Sequence, residues 1–285
     1  MKKFLHPTYL PILVPLASIL ALALRLWTMG GGPNSEGLYA PQPLAWALLA
    51  LVTVLTLAGI FTLTRRLKNP GRYADNFPAS PLGAVGCVAG SLGILFSALT
   101  TLFAAQDLLS KLTGILGLVS TLALLLTAVA RFRGAKPNFV FHVVTCLYFA
   151  LRIFDCCKHW SNVTQIGAFL FQFLASICVM LASYQLCCFD VNLGNRPSSL
   201  LWSLSGVYFC VLALPMGENI YFYAGMLLWL MLNLCSLRPM KAPQPQPAEV
   251  IETEPPVEAN TESTAEAQPT NEDILSWLEN EAVDS

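Results

Sequence analysis

Residues 139–188 read FVFHVVTCLYFALRIFDCCKHWSNVTQIGAFLFQFLASICVMLASYQLCC, two long apolar runs joined by a short polar stretch around Trp160 to Thr164. Neither run alternates polar and apolar residues as a barrel strand does. Each is about 20 residues long, the length at which an α-helix crosses the hydrocarbon of a bilayer while satisfying its own backbone. Reading this stretch as a pair of membrane-spanning helices sets the class of the whole chain, because the same kind of segment recurs on both sides of it.

Upstream lie apolar segments at 9–28, 43–64, 82–105 and 108–130; the opening stretch supplies 138–157 and 165–188, and 198–215 and 219–237 follow. The expected fold is therefore all-α, a polytopic bundle of about eight transmembrane helices over residues 1–238. The first segment also admits a signal-peptide reading, with an h-region ending at Ala21-Leu22-Ala23, but its apolar run continues past that point. Composition agrees with a membrane protein. Hydrophobic residues make up 55% of the 285 and charged residues only 12%, with a mean hydropathy of +0.59. A soluble domain carries about a quarter charged residues, so this chain lacks the polar surface to cover a globule in water.

Charge is divided along the chain. Through Lys241 there are 16 basic and 6 acidic residues, a balance of +10; beyond it there are 11 acidic and no basic residues. Basic residues collect on the cytoplasmic side of a membrane protein. With the amino terminus inside, 12 of them fall in or beside inner loops, and only Arg25, Lys111, Arg152 and Lys158 fall toward the outside. The expected location is the cell membrane, with both termini cytoplasmic. Residues 239–285, rich in Pro, Glu, Gln and Thr, are expected to be disordered. Near their end a short amphipathic helix is expected over 271–282, with acids in its first turn and Ile274, Trp277 and Leu278 on one face.

Two of the apolar segments carry polar stripes of helical phase. In the fifth, His142, Thr145, Cys146, Tyr148, Arg152, Cys156 and His159 share an arc of roughly 160° at 100° per residue. In the sixth, Gln165, Gln172, Ser176, Ser183 and Cys187 lie within roughly 60°. The eighth adds Asn219, Tyr223 and Asn233. Such faces turn inward, either to hydrogen-bond across helices or to line a cavity. The candidate intramembrane polar site is His142, Arg152, Gln172, Ser176 and Asn233, with His142, Gln172 and Ser176 its deep members. Arg152 and Asp155, three residues apart, are expected to form a local ion pair. Glycines 86, 90, 93, 114 and 117 and the seam Ser199, Ser203, Gly206, Cys210, Ala213 read as close-packing surfaces.

Other chemistries lack their residues. Cys156, Cys157 and His159 have no second ligand pair for a structural metal, and the nine cysteines show no disulfide framework. Cys187-Cys188 is open to lipidation or redox chemistry, with packing the simpler reading. Asn162-Val163-Thr164 matches a glycosylation sequon. No phosphate-binding glycine loop, HExxH or GxSxG occurs, and no basic module suits nucleic acid. No cofactor is implied, and no nucleophile, base and metal set sits at depth for an enzyme. Two functions remain. The first is a non-enzymatic membrane scaffold or sensor whose tail binds a cytosolic protein through Ile274, Trp277 and Leu278; in a variant of it, the acidic tail folds back onto the basic inner loops. The alternative is a small-molecule transporter or permease component, with a polar pathway between the fifth, sixth and eighth spans.

Overall fold

The computed structural model describes residues 10–30, 42–65, 67, 71–160, 166–216 and 219–238. The tail, with Ile274, Trp277 and Leu278, lies outside the described residues, as do the sequon at 162–164, Gln165, and the side chain of His159.

All regular structure among the described residues is helical. The elements are α1 (Leu10–Thr28), α2 (Pro43–Thr64), a one-turn α3 (Tyr73–Asn76), α4 (Pro81–Ala104), α5 (Leu108–Phe132), α6 (Phe139–Trp160), α7 (Ile166–Asp190), α8 (Arg196–Ala213) and α9 (Ile220–Cys235), with a 3₁₀ turn at Leu214–Met216. Starts follow local chemistry. Proline opens α2, α4 and α8, where its missing N–H costs nothing. Ser80 accepts from the Gly83 N–H, and Asn195 accepts from the Ser198 N–H.

Among the described residues, five helices are long and apolar enough to cross a membrane: Pro43–Thr64, Pro81–Ala104, Leu108–Phe132, Phe139–Lys158 and Phe169–Asp190. Leu13–Thr28 and Ile220–Cys235 are apolar but shorter. α8 differs for a physical reason. It packs against α7, α9, α1 and α2 at once, and Ser199, Ser203 and Ser205 are buried in it. A helix enclosed by protein has no need of an apolar circumference.

Helices α4 to α9 form a closed ring in chain order, and α9 returns to pack on α4. The α4–α9 seam is the tightest. A Cβ built on Gly225 would lie 2.7 Å from the Gly93 Cα, while Gly86 and Gly90 face Leu232 and Trp229. Gly114 and Gly117 of α5 likewise admit Leu102 and Ala98 of α4, Gly117 also meets Tyr148 of α6, and Gly206 receives Leu230. Small residues here let backbones approach where no hydrophobic force drives them together. The α1–α2 hairpin stands outside the ring against α8, tied by the Thr53–Tyr208 hydroxyl pair at 2.9 Å.

Candidate functional site

The ring has a basic end, where residues 71–80, 131–138, 190–196 and 236–238 gather, and a far end. At the basic end the short loop containing α3 is clamped from two sides. The Gly194 N–H donates to the Gly71 carbonyl at 3.1 Å, and the Tyr73 N–H donates to Asn192 Oδ1 at 3.2 Å. Arg196 donates to Asn76 Oδ1 at 3.3 Å and to the Arg238 carbonyl at 2.6 Å. The Arg238 N–H returns to the Asn76 carbonyl at 2.9 Å.

Beneath this clamp lies the first buried cluster. His142 Nδ1 meets Asp190 Oδ2 at 2.5 Å, both side chains almost wholly enclosed. Arg131, at the last turn of α5, stacks on Phe77 at 4.5 Å and donates to Asn233 Oδ1. Phe77 packs edge-on against Phe189. Tyr73 adjoins Arg131 and Asp190; burial pushes its phenol pKa up, and the Arg131 guanidinium opposes that shift.

The second cluster surrounds Arg152. This residue lies about 20 Å along α6 from Phe139 and about 12 Å from Trp160, and is 3% exposed. Its guanidinium stacks on Phe222 at 3.9 Å and donates from Nη1 to Ser97 Oγ at 2.5 Å. The phenols of Tyr148 and Tyr223 flank it. Tyr223 donates to the Gln172 carbonyl at 3.4 Å, and Ser176 lies one turn along α7. Arg152 Nε and Nη2 meet no acceptor in hydrogen-bonding geometry among the described residues, although the Tyr148 and Tyr223 phenols lie close. The same is true of Arg131 Nε and Nη2 in the first cluster, which meet no such acceptor.

All five sequence-predicted site residues are buried, but they do not form one site. His142 and Asn233 belong to the basic-end cluster; Arg152, Gln172 and Ser176 belong to the second. A layer of Phe149, Phe222 and Trp229, with ring centroids about 6 Å apart, lies between the two. Two expectations need correction. His142 is not deep: it sits in the first turn of α6 and reaches the last residue of α7. The local Arg152–Asp155 pair does not form. Asp155 turns to α5, where Ser110 donates to it at 2.6 Å, while Arg152 turns to α4 and α9. Three residues along a helix leaves the two side chains about 60° apart, near enough to pair but also able to lean toward different neighbouring helices.

Sequence reasoning left out Arg131, Asp190 and Arg25. Arg131 was available as a signal, because Thr113, Gly117, Ser120, Leu124 and Thr127 precede it at helical spacing and all are buried. Arg25 is 2% exposed, with its guanidinium 5.2 Å from the Trp46 ring centroid and 4.9 Å from that of Phe171. No cluster of three or more His, Cys, Asp or Glu side chains suited to a metal ion occurs among the described residues.

Compared with known proteins, the chain matches no family model, no curated protein and no solved structure.

Proposed function

We propose that this is an eight-span membrane protein of the cell membrane, with its basic end and both termini in the cytoplasm, that admits a small anionic solute into the outer half of its bundle. The eight spans are α1, α2 and α4 to α9. The anion reaches Arg152 between α6, α7 and α9, and the protein acts as a transporter or permease component.

The observation that supports this reading is a buried guanidinium, Arg152, with two unmet donors and no carboxylate in its cluster among the described residues. Arg131 leaves the same two donors unmet but shares its cluster with Asp190. Enclosing a guanidinium costs several kcal/mol. One stacked ring offsets about 2 kcal/mol and one hydrogen bond from a charged donor about 1.5–3 kcal/mol. The two remaining donors, each worth about 1–3 kcal/mol when unmet, still require an acceptor. No carboxylate pairs with this arginine among the described residues. A carboxylate or phosphate group on a solute has the charge and the forked geometry to meet both donors.

The test is labelling of Gln172→Cys in the full chain in vesicles, read by peptide mass mapping. A small anionic methanethiosulfonate and a neutral one are compared. The anionic reagent should label residue 172 at least tenfold faster with Arg152 present than in the Arg152→Met background, with the neutral reagent little changed. Failure of both reagents to reach residue 172 sinks the reading.

Recruitment of a cytosolic partner through Ile274, Trp277 and Leu278 remains a separate proposal resting on sequence. Deleting 270–285 tests it through loss of a co-purifying protein.

A further inference from the structure

A groove of about 540 Å³ runs along the outward surface between α4 and α5 at the basic end. Its floor is made by Ala84 and Ala128, both buried; its walls include Val88, Val129 and Phe132, which are 40%, 48% and 67% exposed. Two small residues facing each other on adjacent helices leave a depression between larger neighbours. Both helices are long and apolar enough to lie in a membrane, so acyl chains are the solvent this groove meets.

Its rim is charged. Arg133 lines the groove at its basic end, and Lys136 follows, exposed, after the reversal at Gly134, where φ is +70°. No acidic residue lies between 108 and 154. Arg131 and Arg133 are two residues apart, about 200° around the helix, so they face opposite ways. Arg131 turns inward to Phe77 and Asn233. Arg133 stays outside and forms no ion pair among the described residues.

We propose that this groove is a binding site for an anionic phospholipid, with one acyl chain along Ala84 and Ala128 and the phosphate on Arg133 and Lys136. A zwitterionic lipid fits the groove equally well but gains nothing at the rim, whereas each basic side chain near an anionic headgroup favours it by about fivefold. The site requires only that α4 and α5 lie in a bilayer and is independent of the solute reading at Arg152.

The experiment is native mass spectrometry of the full chain in detergent, titrated with phosphatidylglycerol or phosphatidylcholine of identical acyl chains. The wild type should retain the first lipid at least fivefold better than the second. Arg133→Gln should lower that preference about fivefold, and Lys111→Gln, an exposed far-end control, should leave it unchanged. Val88→Trp and Val85→Trp, both outward-facing, fill the groove and should reduce retention of both lipids. Equal retention of the two lipids by the wild type overturns the proposal. So does an Arg133→Gln chain as selective as the wild type, or unaltered retention in folded groove-filled variants.

Discussion

Arg131 and Arg152 are the same residue type, similarly buried, each stacked on a phenylalanine ring, yet they sit in regions built on different terms. At the basic end the buried polar side chains each have at least one partner from the protein, and the cluster contains a carboxylate, Asp190. His142 meets Asp190, Arg131 meets Asn233, and Arg196 helps clamp the α3 loop through Asn76 and the Arg238 carbonyl. Around Arg152 the protein supplies one serine hydroxyl, a ring face and two phenols. Both arginines leave Nε and Nη2 without an acceptor among the described residues, so the difference that tells glue from a site is the countercharge. Tyr73 adjoins both Arg131 and the Asp190 carboxylate, while only phenols and a thiol flank Arg152.

The comparison breaks first, and most heavily, at Asp190. Asp190→Ala strands His142 in an enclosed pocket, and unfolding equilibria in mixed micelles should register a loss of about 3–5 kcal/mol. Near-wild-type stability would mean that the basic end is not held together by this pair. The next effect tests whether both regions hang on one frame. Gly225→Ala drives a Cβ against the Gly93 Cα and the Ala89 carbonyl, where backbone cannot yield. We expect a loss of about 1–3 kcal/mol together with slower anionic labelling at residue 172. Gly59→Ala, with nothing within 4 Å of the new methyl, should leave both unchanged.

The smallest effect sharpens the comparison most. Arg131→Met orphans Asn233 Oδ1 and should cost about 1–3 kcal/mol. Arg152→Met removes a charge without stranding a carboxylate and should fall within about 1 kcal/mol of wild type, or above it. If the two substitutions cost the same in parallel unfolding titrations, the distinction drawn between the regions fails.

Much of this was legible in the chain. Apolar length located the helices within a few residues, because backbone satisfaction in lipid leaves few alternatives. The glycine seams were legible for the same reason: Gly86, Gly90 and Gly93 share a face, and one face of a helix can meet only one neighbour closely. Side-chain choice within a stripe was not legible. Arg152 and Asp155 are near enough in sequence to pair, but pairing depended on Ser97 and Ser110 arriving from α4 and α5, which helical phase cannot announce. The division of one stripe into two clusters had the same cause. His142 and Arg152 share a face of α6 while meeting α7 at one end and α4 and α9 at the other.

The ring's closure also imposes an order on biogenesis. α1 and α2 leave the ribosome first, but α8, the helix they rest on, begins only at Arg196. At about 5–20 residues per second the hairpin waits roughly 7 to 26 s for its seat. α4 waits for α9 in turn, presenting an uncovered row of glycines to the lipid. Until α9 inserts, any chaperone or insertase attending this protein meets the α4 glycine face as an unfinished surface.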